Sequence, residues 1–111
     1  MKYMMLVCVD PNADFTDVES VEPWVEENDG RGTRVTGHEL RPIAEAVTVR
    51  VRGGELLVSD GPFAETKEII AGFDILECES ADEAVAIAAK HPIAKKGAVE
   101  LRRFADHEFS A

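Results

Sequence analysis

Between Ala46 and Ser59 the residues spell out a β-hairpin, and that hairpin limits what can be built on either side of it. Val47, Val49 and Val51 alternate with Thr48, Arg50 and Arg52, the period of a strand with one apolar face. Gly53-Gly54 follows, and such a pair suits the tight two-residue hairpin loops whose central residues need positive φ. Glu55 to Ser59 is the returning strand. The run closes at Asp60-Gly61-Pro62-Phe63, where a sharp corner is expected. Pro62 lacks an amide donor, Gly61 tolerates unusual backbone angles, and the Asp60 carboxylate can bond amides just beyond it.

The flanks divide into strands and helices. Tyr3 to Val9 is apolar on both faces, as a central strand requires, and Asp10-Pro11-Asn12 ends it. From Thr16 to Glu27, Val18, Val21, Trp24 and Val25 recur at helical spacing, with Thr16 and Glu19 as a capping box. Pro23 is awkward in that span: the helix either kinks there or begins nearer to it. Asn28-Asp29-Gly30-Arg31-Gly32 reads as a turn, and Thr33 to Leu40 as a strand closed by Pro42. Beyond the corner, Ala64 to Ile70 reads as a short helical turn and Gly72 to Glu79 as a strand. Ser80 to Lys90 is the plainest helix, opened by a Ser80/Glu83 capping box and stopped by His91-Pro92. Ala98 to Phe104 is the last strand, with Val99 and Leu101 on one face and Glu100 and Arg102 on the other.

The resulting order is β-α-β, hairpin, β-α-β. This predicts an α+β domain on a split βαβ plan with an inserted β-hairpin, its antiparallel sheet carrying two helices on one face. With 111 residues there is material for one core, so residues 1–105 are assigned to a single domain and 106–111 to a C-terminal tail. Two helices leave the second sheet face bare. The sheet of a second subunit is the economical cover, which predicts a homodimer with a partly polar cleft.

Charge narrows the partners. Acids outnumber bases 22 to 12 for a formal net charge of -10, which argues against nucleic acid and anionic membranes. Eight Asp/Glu and no Lys or Arg lie between Asp10 and Asp29, the pattern of a solvated helix face and loop. Asp10-x-Asn12-x-Asp14 imitates a calcium loop, but Phe15 replaces the turn glycine and Val21 the final bidentate Glu. No His/Cys set has metal-ligand spacing, and neither metal nor cofactor is expected. Cys8 and Cys78 read as buried free thiols, with a disulfide open to them only if their strands are neighbours. The N-terminus reads as a strand rather than a signal peptide, and without a long apolar segment a soluble, cytoplasmic protein is expected.

The run Val58-Ser59-Asp60-Gly61-Pro62-Phe63-Ala64-Glu65-Thr66-Lys67-Glu68, followed by Gly72-Phe73, resembles the signature of DGPF-type proteins of the YCII-related family. Gly37-His38-Glu39-Leu40-Arg41-Pro42, Asp82-Glu83-Ala84 and Gly97-Ala98-Val99-Glu100-Leu101-Arg102 are similar to that family's pattern as well, so the resemblance spans nearly the whole chain. It implies a ferredoxin-like domain that pairs into a dimeric α/β barrel, and no settled activity. Some members have been linked to transcription, and others place a His and an Asp in a cleft. The first helix here has no His, and the second ends in His91-Pro92 where related chains often show Asp-Pro.

Asp60 is the candidate catalytic residue, a general base or ligand-orienting carboxylate whose pKa would rise if Phe63 and a dimer cleft excluded water. A turn carboxylate bonded to local amides is its plain alternative. Lys67 and Glu68 would form a polar wall beside it. Glu100 and Arg102 lie two apart on one strand, so they share a face and would either hold a polar ligand or pair with each other. His38 and His91 read as surface or helix-end residues. Ser59 lacks a nucleophile elbow, and Gly53-Gly54 is a turn rather than a phosphate loop.

These readings combine into a homodimeric small-molecule-binding domain. Its cleft is floored by Glu100 and Arg102 and bounded by Asp60, Phe63, Lys67 and Glu68. The alternatives are a cofactor-independent acid/base enzyme of isomerase or lyase type, and a regulatory domain that docks a protein through its acidic first helix.

Overall fold

The computed structural model describes residues 1–106; the expected tail therefore lies outside the described residues from 107 onward. Its elements are β1 (Lys2–Val9), α1 (Glu22–Arg31), β2 (Arg34–Glu39), β3 (Val47–Arg52), β4 (Glu55–Asp60), β5 (Ile69–Glu77), α2 (Ala81–Ala89) and β6 (Ala98–Arg103). Short 3-10 turns occupy Ile43–Glu45 and Pro92–Lys95. Strands β2, β5, β1 and β6 make one antiparallel sheet in that order, while β3 and β4 pair only with each other. This mixed α+β arrangement, with antiparallel sheets and two helices, is compatible with a ferredoxin-like fold carrying a hairpin between its halves.

Strand β1, apolar from Tyr3 to Val9, is central, as its composition demands. Tyr3, Met5 and Val7 alternate onto the inner face, where with Leu76 they meet Trp24 of α1 and Ala84, Ile87 and Ala88 of α2. Met5 and Leu76 are fully buried, and each such side chain contributes about 2 kcal/mol. Helix α2 starts where its capping residue predicts: Ser80 Oγ accepts the Glu83 amide at 3.1 Å.

Helix α1 departs from the expectation. It begins at Glu22, which puts Pro23 in the first turn, where a missing N–H breaks no helical bond. Thr16 and Glu19 cap nothing; the Thr16 amide donates to Asp14 Oδ1 instead, at 2.9 Å. The helix also runs through Asn28-Asp29-Gly30-Arg31, read above as a turn, and stops at Gly32 with φ 73°. Tertiary anchoring overrides weak propensity here. Asn28 is buried, its Nδ2 donating to the Trp24 carbonyl at 2.9 Å while its Oδ1 accepts the Thr33 hydroxyl at 2.7 Å.

Ala64 to Glu68 is irregular rather than helical, and β5 starts at Ile69, ahead of Gly72. A bulge absorbs the difference: Val7 faces Gly72 and Cys8 faces Ile70, so Ala71 is the extra residue. The hairpin matches its prediction, with φ 57° at Gly53 and 79° at Gly54. Its corner is tied down by the Gly61 amide donating to Ala46 O (2.6 Å) and by Thr48 Oγ1 donating to Gly61 O (2.8 Å). Every residue of β4 is exposed, and the radius of gyration is 16.2 Å against about 13 Å for a compact chain of this length. The hairpin thus stands off the body. One of its faces collects Val47, Val49, Val51, Leu56 and Val58, all more than half exposed.

Candidate functional site: a cavity floored by glycines

The inner sheet face has two cross-strand rows that leave space. Gly37, Asp74 and Met5 form one across β2, β5 and β1, and Glu39, Gly72 and Val7 form the next. Gly72 supplies no side chain to fill the floor, and the place that one would take at Gly37 is occupied by Asp74 and Arg34. Because α1 starts late, residues 10–21 pass this end of the sheet as a loop, and Phe15, Val18 and Val21 contribute to the lining. The result is a cavity of about 610 Å³, within the size range of small-molecule sites.

Local bonds hold the loop in place. Asp10 Oδ1 accepts the Asn12 amide at 2.9 Å, the same local use that Asp14 makes of Thr16. Asp17 accepts Lys96 Nζ at 3.2 Å, and Lys95 stands 3.9 Å from Glu19, so the turn after α2 anchors the loop. The Lys96 ammonium, helped by a backbone bond, holds Asp17 below the usual carboxylate range.

Three side chains make the polar end of the cavity. Asp74 is only 7% exposed, and Arg34 Nε donates to its Oδ1 at 2.7 Å. The same guanidinium donates through Nη1 to Asp29 at 3.0 Å. Burial opposes the Arg34 charge, but hydrogen bonds to the two carboxylates outweigh it and raise its pKa. Gly37 makes the pair possible: a Cβ there would overlap Asp74 Oδ1 and lie 2.8 Å from its Cγ.

His91 is the third: it stands at the helix end, as one of its two readings had it, but it is buried there and not on the surface. It is 4% exposed, with its ring edge-to-face against Trp24 at 4.9 Å. Trp24 is itself locked by Nε1 donating to Ile87 O at 2.9 Å. His91 Nδ1 accepts the Ile93 amide at 3.1 Å, which assigns the neutral ring's proton to Nε2. Burial pushes the His91 pKa down, and the Asp74 carboxylate pulls partly the other way.

A pH dependence follows. The unfolded chain takes up a proton near pH 6.5 that the folded chain resists, so the His91 contribution is whole above that pH and is lost as pH falls toward the lower folded pKa. Urea unfolding at pH 7.5 and 5.5 is expected to show a larger loss for the wild type than for His91→Gln, with a limiting slope of about 1.4 kcal/mol per pH unit. Equal losses would sink the assignment.

None of the six residues singled out from the sequence lines this cavity. Asp60, Phe63 and Lys67 are exposed on the hairpin end and the loop after it, Phe63 at 80%. Glu100 and Arg102 do come together, while Glu68 is exposed just ahead of β5. Burial raises the Cys8 thiol pKa, and the carboxylates of Glu100 and Glu68 add to the effect, while Arg102 Nε lies 4.0 Å from Glu100. Cys8, Glu100 and Arg102 sit on the outer sheet face. There His38, Phe73, Leu6 and Glu100 form one cross-strand row, and Ile75, Met4 and Arg102 fall in the next. Cys8 and Cys78 are both free, Cys8 half-buried and Cys78 buried.

The sequence reading missed Asp74, Arg34 and His91. For Asp74 a signal was present: an acid inside an apolar strand, in phase with Gly72 and Leu76. No helix of the described residues is long and apolar enough to cross a membrane.

A mixed α+β domain with a ligand-sized cavity under its loop is the class that fold and site define. The chain belongs to the YCII-related family: the model of the YCII-related domain matches residues 1–107. It is also 37% identical over 86 residues to an uncharacterized protein of Rhizobium meliloti (strain 1021), a match covering 64% of this chain and 69% of that protein.

Proposed function

We propose that this chain is a homodimeric small-molecule-binding domain, paired as a dimeric α/β barrel, that holds its ligand in the cavity beside Asp74, Arg34 and His91. The observation that carries the reading is a buried ionic and imidazole group at one end of an otherwise largely apolar space of about 610 Å³. Ligand sites commonly combine an apolar lining with a few convergent polar groups.

Dimerisation is supported by what the chain leaves bare. Met4, Leu6, Phe73 and Ile75 are only half-buried on the outer face, and a two-stranded hairpin with an exposed valine face is marginal without a cover. A second copy on that face would put Glu100 and Arg102 at the interface.

Light scattering at micromolar concentration is expected to give twice the 12.1 kDa chain mass. Val21→Trp, at the cavity rim, should abolish binding of tryptophol in calorimetry and leave that mass unchanged. A monomer mass would remove the dimer, and undiminished binding would remove the cavity.

Acid/base catalysis is the second reading, favoured by a neutral His91 whose tautomer the Ile93 amide holds, with the Asp74 charge felt at the ring. It fails if the wild type and His91→Gln leave a metabolite extract equally unchanged.

A further inference from the structure

Charge around the cavity is lopsided. Asp74, Glu19 and Glu39 line it, against the one guanidinium of Arg34 and the imidazoles of His38 and His91. That guanidinium is already shared between Asp74 and Asp29. Lys90, Lys95 and Lys96, the ammonium groups nearest in sequence to the His91 wall, are not part of the lining, and Lys95 and Lys96 pair with Glu19 and Asp17. An incoming anion would therefore meet a lining in which carboxylates outnumber cations and the one guanidinium already serves two of them.

His91 adds a neutral donor to this set. Its Nδ1 is occupied by the Ile93 amide, and Nε2–H has no acceptor among the described residues. No buried side-chain polar atom among those residues is left without a partner, so Nε2–H is not sealed off, and His91 lines the cavity. The remaining walls are largely apolar, including Val7, Val9, Phe15, Val25 and Ile93.

We infer that the cavity selects ligands with a largely apolar body and a hydrogen-bond-donating head that carries no negative charge: an alcohol, a phenol or an amine, and not a carboxylate or a phosphate. A hydroxyl both donates to a carboxylate and accepts from His91 Nε2–H. An ammonium donates and also offsets the excess negative charge. A carboxylate accepts from His91 but repels Asp74 and Glu39, and in a largely apolar cavity that repulsion is poorly screened. This inference rests on the cavity being the binding site, and the experiment separates the two.

Three probes share an indole ring and a two-carbon tether and differ only at the head: tryptophol, tryptamine and indole-3-propionate. Calorimetry at pH 7.5 on the full-length dimer is expected to show the alcohol and the amine binding at least tenfold more tightly than the propionate. Glu39→Gln, at an exposed rim position that leaves the core untouched, should narrow the gap about threefold, and Asp74→Asn should narrow it further. Propionate binding as tightly as the other two would overturn the head-group selection while leaving the cavity as a site. No binding by any of the three would overturn both. Binding unchanged in Val21→Trp would place the probes elsewhere and overturn the assignment to this cavity.

Discussion

Gly37→Ala is expected to lower the unfolding free energy by about 3 kcal/mol, a large share of what a domain of this size has. The added Cβ would overlap Asp74 Oδ1 and come within 2.7 Å of Arg34 Nη2. Neither group has a cheap retreat, since the Asp74 side chain is 9% exposed and the Arg34 side chain 16%. Displacing the carboxylate leaves a guanidinium with Asp29 alone, and a buried charge that loses its partner costs more than the pair contributed. Gly30→Ala is the matched control. Nothing lies within 4 Å of its Cβ position, and it sits in the last turn of α1, so alanine there should stabilise by about 0.5–1 kcal/mol. Urea midpoints at constant m-value decide the matter. Two glycine substitutions moving stability in the same direction would contradict the account.

Trp24→Ala is expected to cost about 4 kcal/mol, because an almost wholly buried ring is removed from the contact between both helices and the sheet. Trp24→Phe separates area from hydrogen bonding. It should cost only about 1 kcal/mol for the lost indole bond, since the Ile87 carbonyl keeps the Lys90 amide at 3.2 Å and is not stranded. The same ring edges His91 away from water, so in Trp24→Ala the His91 pKa should climb back toward its ordinary value. An NMR titration reads this directly. An unmoved His91 would show that the imidazole owes its burial to other groups.

Much of the architecture was legible from residue pattern. Alternation in Val47 to Arg52 and the Gly53-Gly54 pair specified the hairpin, Ser80 with Glu83 specified the start of α2, and seven consecutive apolar residues from Tyr3 specified a central strand. These signals are local, each made by residues within one turn or strand of one another. The first helix was misplaced because its local signals conflict. Thr16 and Glu19 mimic a cap, and Asp29-Gly30 mimics a turn, whereas the decisive contacts join Asn28 to Thr33 and Trp24 to Ile87.

The site was hidden for the same reason, carried further. Asp60 attracted attention because its corner is written in adjacent residues, yet Asp74, Arg34 and His91 lie far apart in the chain and meet only when β5 pairs with β2 and the turn after α2 folds over β1. Strand periodicity puts Asp74 on the same face as Gly72 and Leu76. It could not tell that Gly37 would lie directly across from it, nor that a late-starting α1 would leave a roofed space instead of packed side chains. Local backbone preference and apolar period therefore settled the elements and their faces. The cavity, its charge balance and the neutral imidazole came from strand register and long-range packing, which no stretch of neighbouring residues encodes.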